Sequence, residues 1–362
     1  MEAFASDRSC SDVRSAHEKA LVVERVSKEY GRSLPLARNA GGPAAGAAAL
    51  TDVSFSVGRG EMIGLLGANG AGKTTLLKII TTLLYPTSGR VLIDDMDVSA
   101  SPNQVRRKIG LVTCDERSFY WRLTGRQNLS FFGALYGLTR EQVHERGESL
   151  LEMLGLAPAG NERYQGYSSG MKQKLAIARG LLADPAIVFY DEPTRSLDPL
   201  SAQNVREWIR AMRASSPGQT HVIATNQLSE AEQLCDRVLI LARGRLIAQG
   251  TIREIREAYH AQDHELHCVT YRGAAFNGAI AVDPGAGLLA VEDGEADASL
   301  RTLRLRTVRG SDALSSALQR LLGSGRIVVR CDTDEASFDE IFCSLVLRDH
   351  ESGADRLPQV TP

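Results

Sequence analysis

Short apolar runs alternate with amphipathic stretches from Met62 to about Gln249: IGLL, VLI, IGLV, AIVFY, HVIAT and RVLIL are separated by segments with helical spacing. The runs are continuous rather than alternating, as strands covered on both faces must be, so the pattern predicts a largely parallel sheet flanked by helices. Upstream, LVVERVSKEY reads as a strand ending near Tyr30 and LTDVSFSV as another. The Gly-, Ala- and Pro-rich RSLPLARNAGGPAAGAAA between them predicts a flexible excursion over about residues 32–49. Between about Asp115 and Asp184 the strand signals vanish. GRQNLSFFGALYG, TREQVHERGESLLEMLGL and MKQKLAIARGLLAD follow one another, and the last places Met171, Leu175, Ala178 and Leu182 on one helical face, the mark of core packing. An all-helical region over about 115–184 thus interrupts the sheet.

The pattern changes again near His260. ELHCVTY, GLLAVED, LRTLRLR and RIVVRC read as strands and DALSSALQRLLG and SFDEIFCSLVL as helices, so a small α+β domain is expected over 260–350. It carries no catalytic constellation: His264, Glu265 and His267 sit on a strand, where neighbours face opposite sides, which argues against a metal site. Residues 1–18 and 351–362 are expected to be disordered, since few large apolar side chains anchor them.

Composition narrows the class. The chain has 362 residues, 43% hydrophobic and 24% charged, with a formal net charge of −2. That is an ordinary globular balance with material for more than one domain, and no basic excess or aromatic-rich basic stripe suits nucleic acid. Cysteines at 10, 114, 235, 268, 331 and 343 lack paired metal-ligand spacing and suggest a reducing compartment. No apolar run approaches the roughly 20 residues that cross a bilayer, and the first residues are polar rather than signal-like, so a cytoplasmic protein is expected.

The chemistry begins at Gly67, where the chain reads GANGAGKTT after the apolar MIGLLG and before the helical TTLLKIITTLL. Glycines let backbone N–H groups turn inward onto phosphates, the following helix adds its N-terminal partial charge, Lys73 supplies a cation and Thr74 a hydroxyl for Mg²⁺. Gly67, Asn69, Gly70, Gly72, Lys73, Thr74 and Thr75 are therefore candidate nucleotide contacts, with ATP as ligand. About 120 residues later AIVFYDE delivers Asp191 and Glu192 to a strand's C-terminal end, where open α/β sheets bind ligands. Asp191 suits Mg²⁺ and Glu192 suits the base that deprotonates an attacking water.

GANGAGKTT, YSSGMKQKLAIARGLLADP and IVFYDEPTRSLDP, in this order and spacing, resemble the nucleotide-binding subunit of ATP-binding cassette (ABC) transporters over roughly residues 20–258. The resemblance implies a phosphate-loop NTPase fold with a RecA-like parallel core, an antiparallel β portion and an all-helical subdomain, here in a domain over 19–258. It implies Tyr30 stacking on adenine, and Ser168 and Gly170 closing from a second subunit, in a homodimer, over the γ-phosphate. Ser196 to Asp198 resembles the loop that crosses the dimer seam. Two positions depart from the family: Cys114, followed by Asp115 and Glu116, stands where a Mg²⁺-contacting glutamine is usual, and Asn226 where a γ-phosphate-sensing histidine is usual. Asp115 or Glu116 could serve the metal or be solvated loop charges. His221 lies about 16 Å from residue 226, at the far end of its strand, and cannot substitute. Asn226 remains a neutral donor, so slow hydrolysis driven by Glu192 is expected.

The resemblance further implies an ATPase peripheral to the inner face of the membrane, bound to a separate permease subunit and powering export of drugs, lipids or polysaccharides, with no nucleic-acid partner. FYWRL is either part of the surface that receives a permease helix or aromatic core of the helical region. Rival readings are a hydrolysis-impaired regulatory ABC protein and a non-transport ABC protein; the latter lacks its usual second cassette or long coiled coil here.

Overall fold

The computed structural model describes residues 19–30, 48–113, 118–195, 197–260, 264–274, 288–297, 300–308, 311–334 and 337–351. Residues 1–18, most of the 32–49 excursion, Cys114, Asp115, Glu116, Ser196 and the tail after Glu351 lie outside them. The chain divides into two compact units, Met1–Leu246 and Ile247–Pro362.

The first unit runs β1 (Lys19–Glu29), β2 (Ala48–Gly58), β3 (Met62–Leu66), α1 (Lys73–Ile80), β4 (Ser88–Ile93), β5 (Met96–Asp97), α2 (Pro102–Arg106) and β6 (Ile109–Thr113). It continues with α3 (Gly125–Leu135), α4 (Arg140–Met153), α5 (Ser169–Leu181), β7 (Ile187–Asp191), α6 (Pro199–Ser215), β8 (Thr220–Thr225), α7 (Leu228–Leu234) and β9 (Arg237–Ala242); β10 (Arg245–Gly250) straddles the division. One sheet has the order β10-β9-β3-β8-β7-β6, and β9, β3, β8, β7 and β6 pair parallel. Every residue of β3 and β8 is buried, because helices cover both faces. This central position puts the C-terminal ends of β3, β7 and β8 side by side.

A second sheet, β2-β1-β4-β5, is antiparallel. It corrects one expectation: the VLI run, grouped above with the parallel strands, is the end of β4 and pairs with β1 and β5. The rest of β4 is exposed, so only its apolar half meets the core. Strand β2 also starts earlier than LTDVSFSV, taking in Ala48 and Ala49, since Ala48 opposes Glu29.

Between β6 and β7 the described residues hold α3, α4, α5 and a 3₁₀ turn at Tyr164–Gly166, with no strand beyond an isolated bridge of Thr124 to Arg163. Capping boxes start α3 (Thr124, Gln127) and α4 (Thr139, Gln142). Leu175, Ala178 and Leu182 lie wholly in the core beside Phe119, Tyr164 and Tyr167, while Met171 is only partly buried at its edge.

The second unit comprises α8 (Ile252–His260), β11 (His264–Arg272), β12 (Leu288–Asp297), β13 (Leu300–Val308), α9 (Ala313–Gly323), β14 (Ile327–Asp334) and α10 (Phe338–Glu351). Its antiparallel sheet, β12-β13-β11-β14, packs Val269, Tyr271, Leu303 and Leu305 against Ala313, Ala317 and Leu321 of α9. Helix α8 belongs to this unit, ahead of the expected limit at 258, because Tyr259 donates to Ser344 Oγ at 3.2 Å. His267 is buried and 2.9 Å from Thr307 Oγ1. Among the described residues no helix is long and apolar enough to cross a membrane.

Candidate functional site

Strand β3 ends in the Gly67–Thr75 loop, which turns directly into α1. A Cβ at position 67 would lie 2.6 Å from the Leu241 carbonyl oxygen, so packing demands glycine there. At Gly72 the demand is conformational as well: φ is +107°, and a Cβ would lie 2.8 Å from the Ala49 carbonyl oxygen. Gly72 caps α1 without a side chain, which leaves the first amides of the helix to whatever the loop encloses. Lys73 is 5% exposed, and its ammonium donates to the carbonyls of Gly67 at 2.6 Å and Ala68 at 3.2 Å. Burial lowers the Lys73 pKa, opposed by the charges of Glu192 and Asp191.

Asp191 closes β7, with Thr113 of β6 on one side and Ala224 of β8 on the other. Burial first, then the neighbouring Glu192, raises its pKa above the ordinary aspartate value. Glu192 leaves the strand with φ +50°, its N–H donating to Ala224 O at 2.8 Å. Its Oε2 accepts from Arg195 Nη1 at 2.8 Å. Thr74, Thr113, Gln173, Asp191 and Glu192 line one cleft of 570 Å³.

Asn226 follows β8 directly, and its Nδ2 lies 3.5 Å from Asn69 Oδ1 of the loop. Tyr30 follows β1, its hydroxyl 3.5 Å from Thr75 Oγ1. Lys73, Thr74, Thr75, Asn69, Asp191, Glu192, Asn226 and Tyr30 are thereby gathered around the end of β3. Ser168, Gly170 and Asp198 form a different group. Ser168 caps α5 by accepting from Met171 N at 3.2 Å, Asp198 caps α6 by accepting from Ser201 N at 3.0 Å, and Gly170 faces the Ser201 hydroxyl. No hydrogen bond among the described residues joins this group to the Gly67–Thr75 loop. His221 is buried at the start of β8, 3.3 Å from the Tyr190 hydroxyl and away from the site.

Neighbours at three places were not read from the sequence. Thr194, just past Glu192, donates to the fully buried Glu230 of α7 at 3.0 Å, joining the segments that carry Glu192 and Asn226. The signal was a carboxylate beside Leu228, Ala231 and Leu234 on the buried side of α7. Arg179 of α5 donates to Ser118 Oγ at 2.7 Å and reaches Thr113 Oγ1 at 3.5 Å, the two residues bracketing 114–117. Gln173 is the third. Together these groups can cradle a polyphosphate, neutralise it with Lys73 and present carboxylates to a cation and a water.

The family model described as ABC transporter matches residues 50–195. The ABC transporter ATP-binding protein NatA of Bacillus subtilis is 38% identical over 215 residues, 59% of this chain and 87% of NatA. The daunorubicin resistance ATP-binding protein DrrA3 of Streptomyces coeruleorubidus is 31% identical over 339 residues, 94% of this chain and 98% of its own. Among solved structures, the dimeric post-hydrolysis ATP-binding cassette MJ0796 bound to ADP and Pi superposes with a TM-score of 0.55 at 25% identity, covering 64% of this chain and 98% of the cassette.

Proposed function

Because this chain belongs to the ABC transporter family, in which it is an ATPase, we propose that it drives an exporter whose membrane helices lie on a separate chain. The observation that carries this reading is the convergence of Lys73, Thr74, Asp191 and Glu192 on the C-terminal ends of β3 and β7. The loop amides and Lys73 hold the phosphates of ATP, Tyr30 stacks on the adenine, and Glu192 takes the proton of the attacking water. Thr74 and Asp191 would hold Mg²⁺, and the fit is chemical: both line the same cleft, and the Asp191 carboxyl sits where burial and Glu192 raise its pKa, a place that a cation would stabilise. Bound Mg²⁺ would neutralise charge on the β- and γ-phosphates.

Ser168, Gly170 and Asp198 act on the nucleotide of a second copy, a reading supported by Ser168 and Asp198 capping α5 and α6 instead of bonding to the chain's own loop. The 49% and 57% exposed Tyr120 and Trp121 offer the permease a surface, whereas Phe119 belongs to the core. The protein then works at the inner face of the membrane, and the family names of its relatives favour drug-like cargo. Steady-state phosphate release by wild type and by Glu192→Gln tests the reading. A loss on the order of 10²-fold with retained ATP binding is expected; equal rates would remove Glu192 from its role.

A further inference from the structure

Helix α5 lines the cleft of Asp191 and Glu192 with Ser169, Lys172 and Gln173, and of these Gln173 is buried. Gln173 is 5% exposed, lines that cleft, and its Nε2 is buried with no hydrogen-bond partner among the described residues. An unsatisfied buried amide is destabilising, a cost that a leucine, like Leu175 two residues on, would not carry. The cost is explained if an oxygen ligand completes the amide when the site is loaded, and 570 Å³ leaves room for ordered water. Cys114, moreover, offers a thiol at the position where an amide is expected by resemblance.

We propose that Gln173 is a positioning residue for hydrolysis, donating through Nε2 to the oxygen of the water that Glu192 deprotonates. This rests on the role given to Glu192 above. The water oxygen bonds to the γ-phosphorus, the bond from phosphorus to the β-γ bridging oxygen breaks, ADP leaves with that electron pair, and the water's proton goes to Glu192. Gln173 holds the water's second lone pair so that the first points at phosphorus.

The test compares wild type with Gln173→Leu, which keeps volume and removes both polar atoms, and Gln173→Glu, which replaces the donor with a carboxyl. For Gln173→Leu, kcat falls at least tenfold, KM for ATP and affinity for a fluorescent ATP analogue stay within twofold, and the thermal midpoint is unchanged or higher. Retention of ADP with orthovanadate, which mimics the transition state, is lost. For Gln173→Glu at pH 8 the loss is similar, but its rate relative to wild type climbs as pH is lowered toward 5.5, because the introduced carboxyl, in the same cleft as Asp191 and Glu192, becomes protonated and donates again. A leucine variant with wild-type kcat, a kcat loss matched by weaker analogue binding, or a flat relative pH profile overturns the proposal. If wild type itself is no faster than Glu192→Gln, the role of Glu192 fails first and this proposal falls with it.

Discussion

Glu192 holds φ at +50°, a left-handed angle that costs a non-glycine residue about 1 kcal/mol. Its N–H bond to Ala224 O keeps it there, and the strain turns the carboxylate off the strand line into the cleft. Asn226 stands on the neighbouring strand end, within 3.5 Å of Asn69 in the phosphate loop. An amide there donates a neutral hydrogen bond, where a protonated imidazole would meet developing negative charge with a full cation. Asn226→His is accordingly expected to raise ATP turnover, by about tenfold or more. Phosphate release by the purified variant checks this, and an unchanged rate contradicts it. Lys73 and Thr74, and separately Asp191 and Glu192, stood out in the sequence because each pair sits in a short motif directly after an apolar strand, β3 and β7. Gln173 and Glu230 were not, since a glutamine or glutamate on an amphipathic helix looks the same whether it meets solvent or a cleft.

At the scale of elements, continuous apolar runs revealed β3, β7, β8 and β9 because burial on both faces leaves no polar alternation, while β6, at the sheet edge, alternates buried and half-buried residues. The run in β4 misled for the same reason: three apolar residues at the end of an otherwise exposed strand look like a short buried one. Strand pairing also sets a pH response. His221 of β8 lies against Tyr190 of β7, ring centroids 6.0 Å apart. Burial, aided by the charge of Arg213, depresses its pKa from 6.5 to about 4. The ring is therefore neutral in the fold at a pH where the unfolded chain has already taken up a proton. Its contribution is intact above about pH 6.5 and declines as pH falls to about 4, by about 3 kcal/mol in all. Urea unfolding of wild type and His221→Leu at pH 7 and pH 4.5 measures it: the acid-induced loss is expected to be smaller in the variant, and equal losses contradict the assignment.

Across the whole molecule, the division into two units was visible as a change from continuous apolar runs and helices to strands with interspersed polar residues near His260, but its place was not. From the sequence the first domain is expected to extend to 258 and take in most of α8, whereas α8 lies in the second unit, where Tyr259 donates to Ser344. Within the first unit the functional residues fall into two groups, one around the phosphate loop and one at the N-termini of α5 and α6. In the function proposed above, the second group completes the site of another copy. Sedimentation of Glu192→Gln with and without ATP tests this most directly. The chain is expected to be monomeric without nucleotide and dimeric with ATP, the dimer being abolished by Ser168→Arg. A Glu192→Gln chain that binds ATP at saturation yet sediments as a monomer would contradict the shared site.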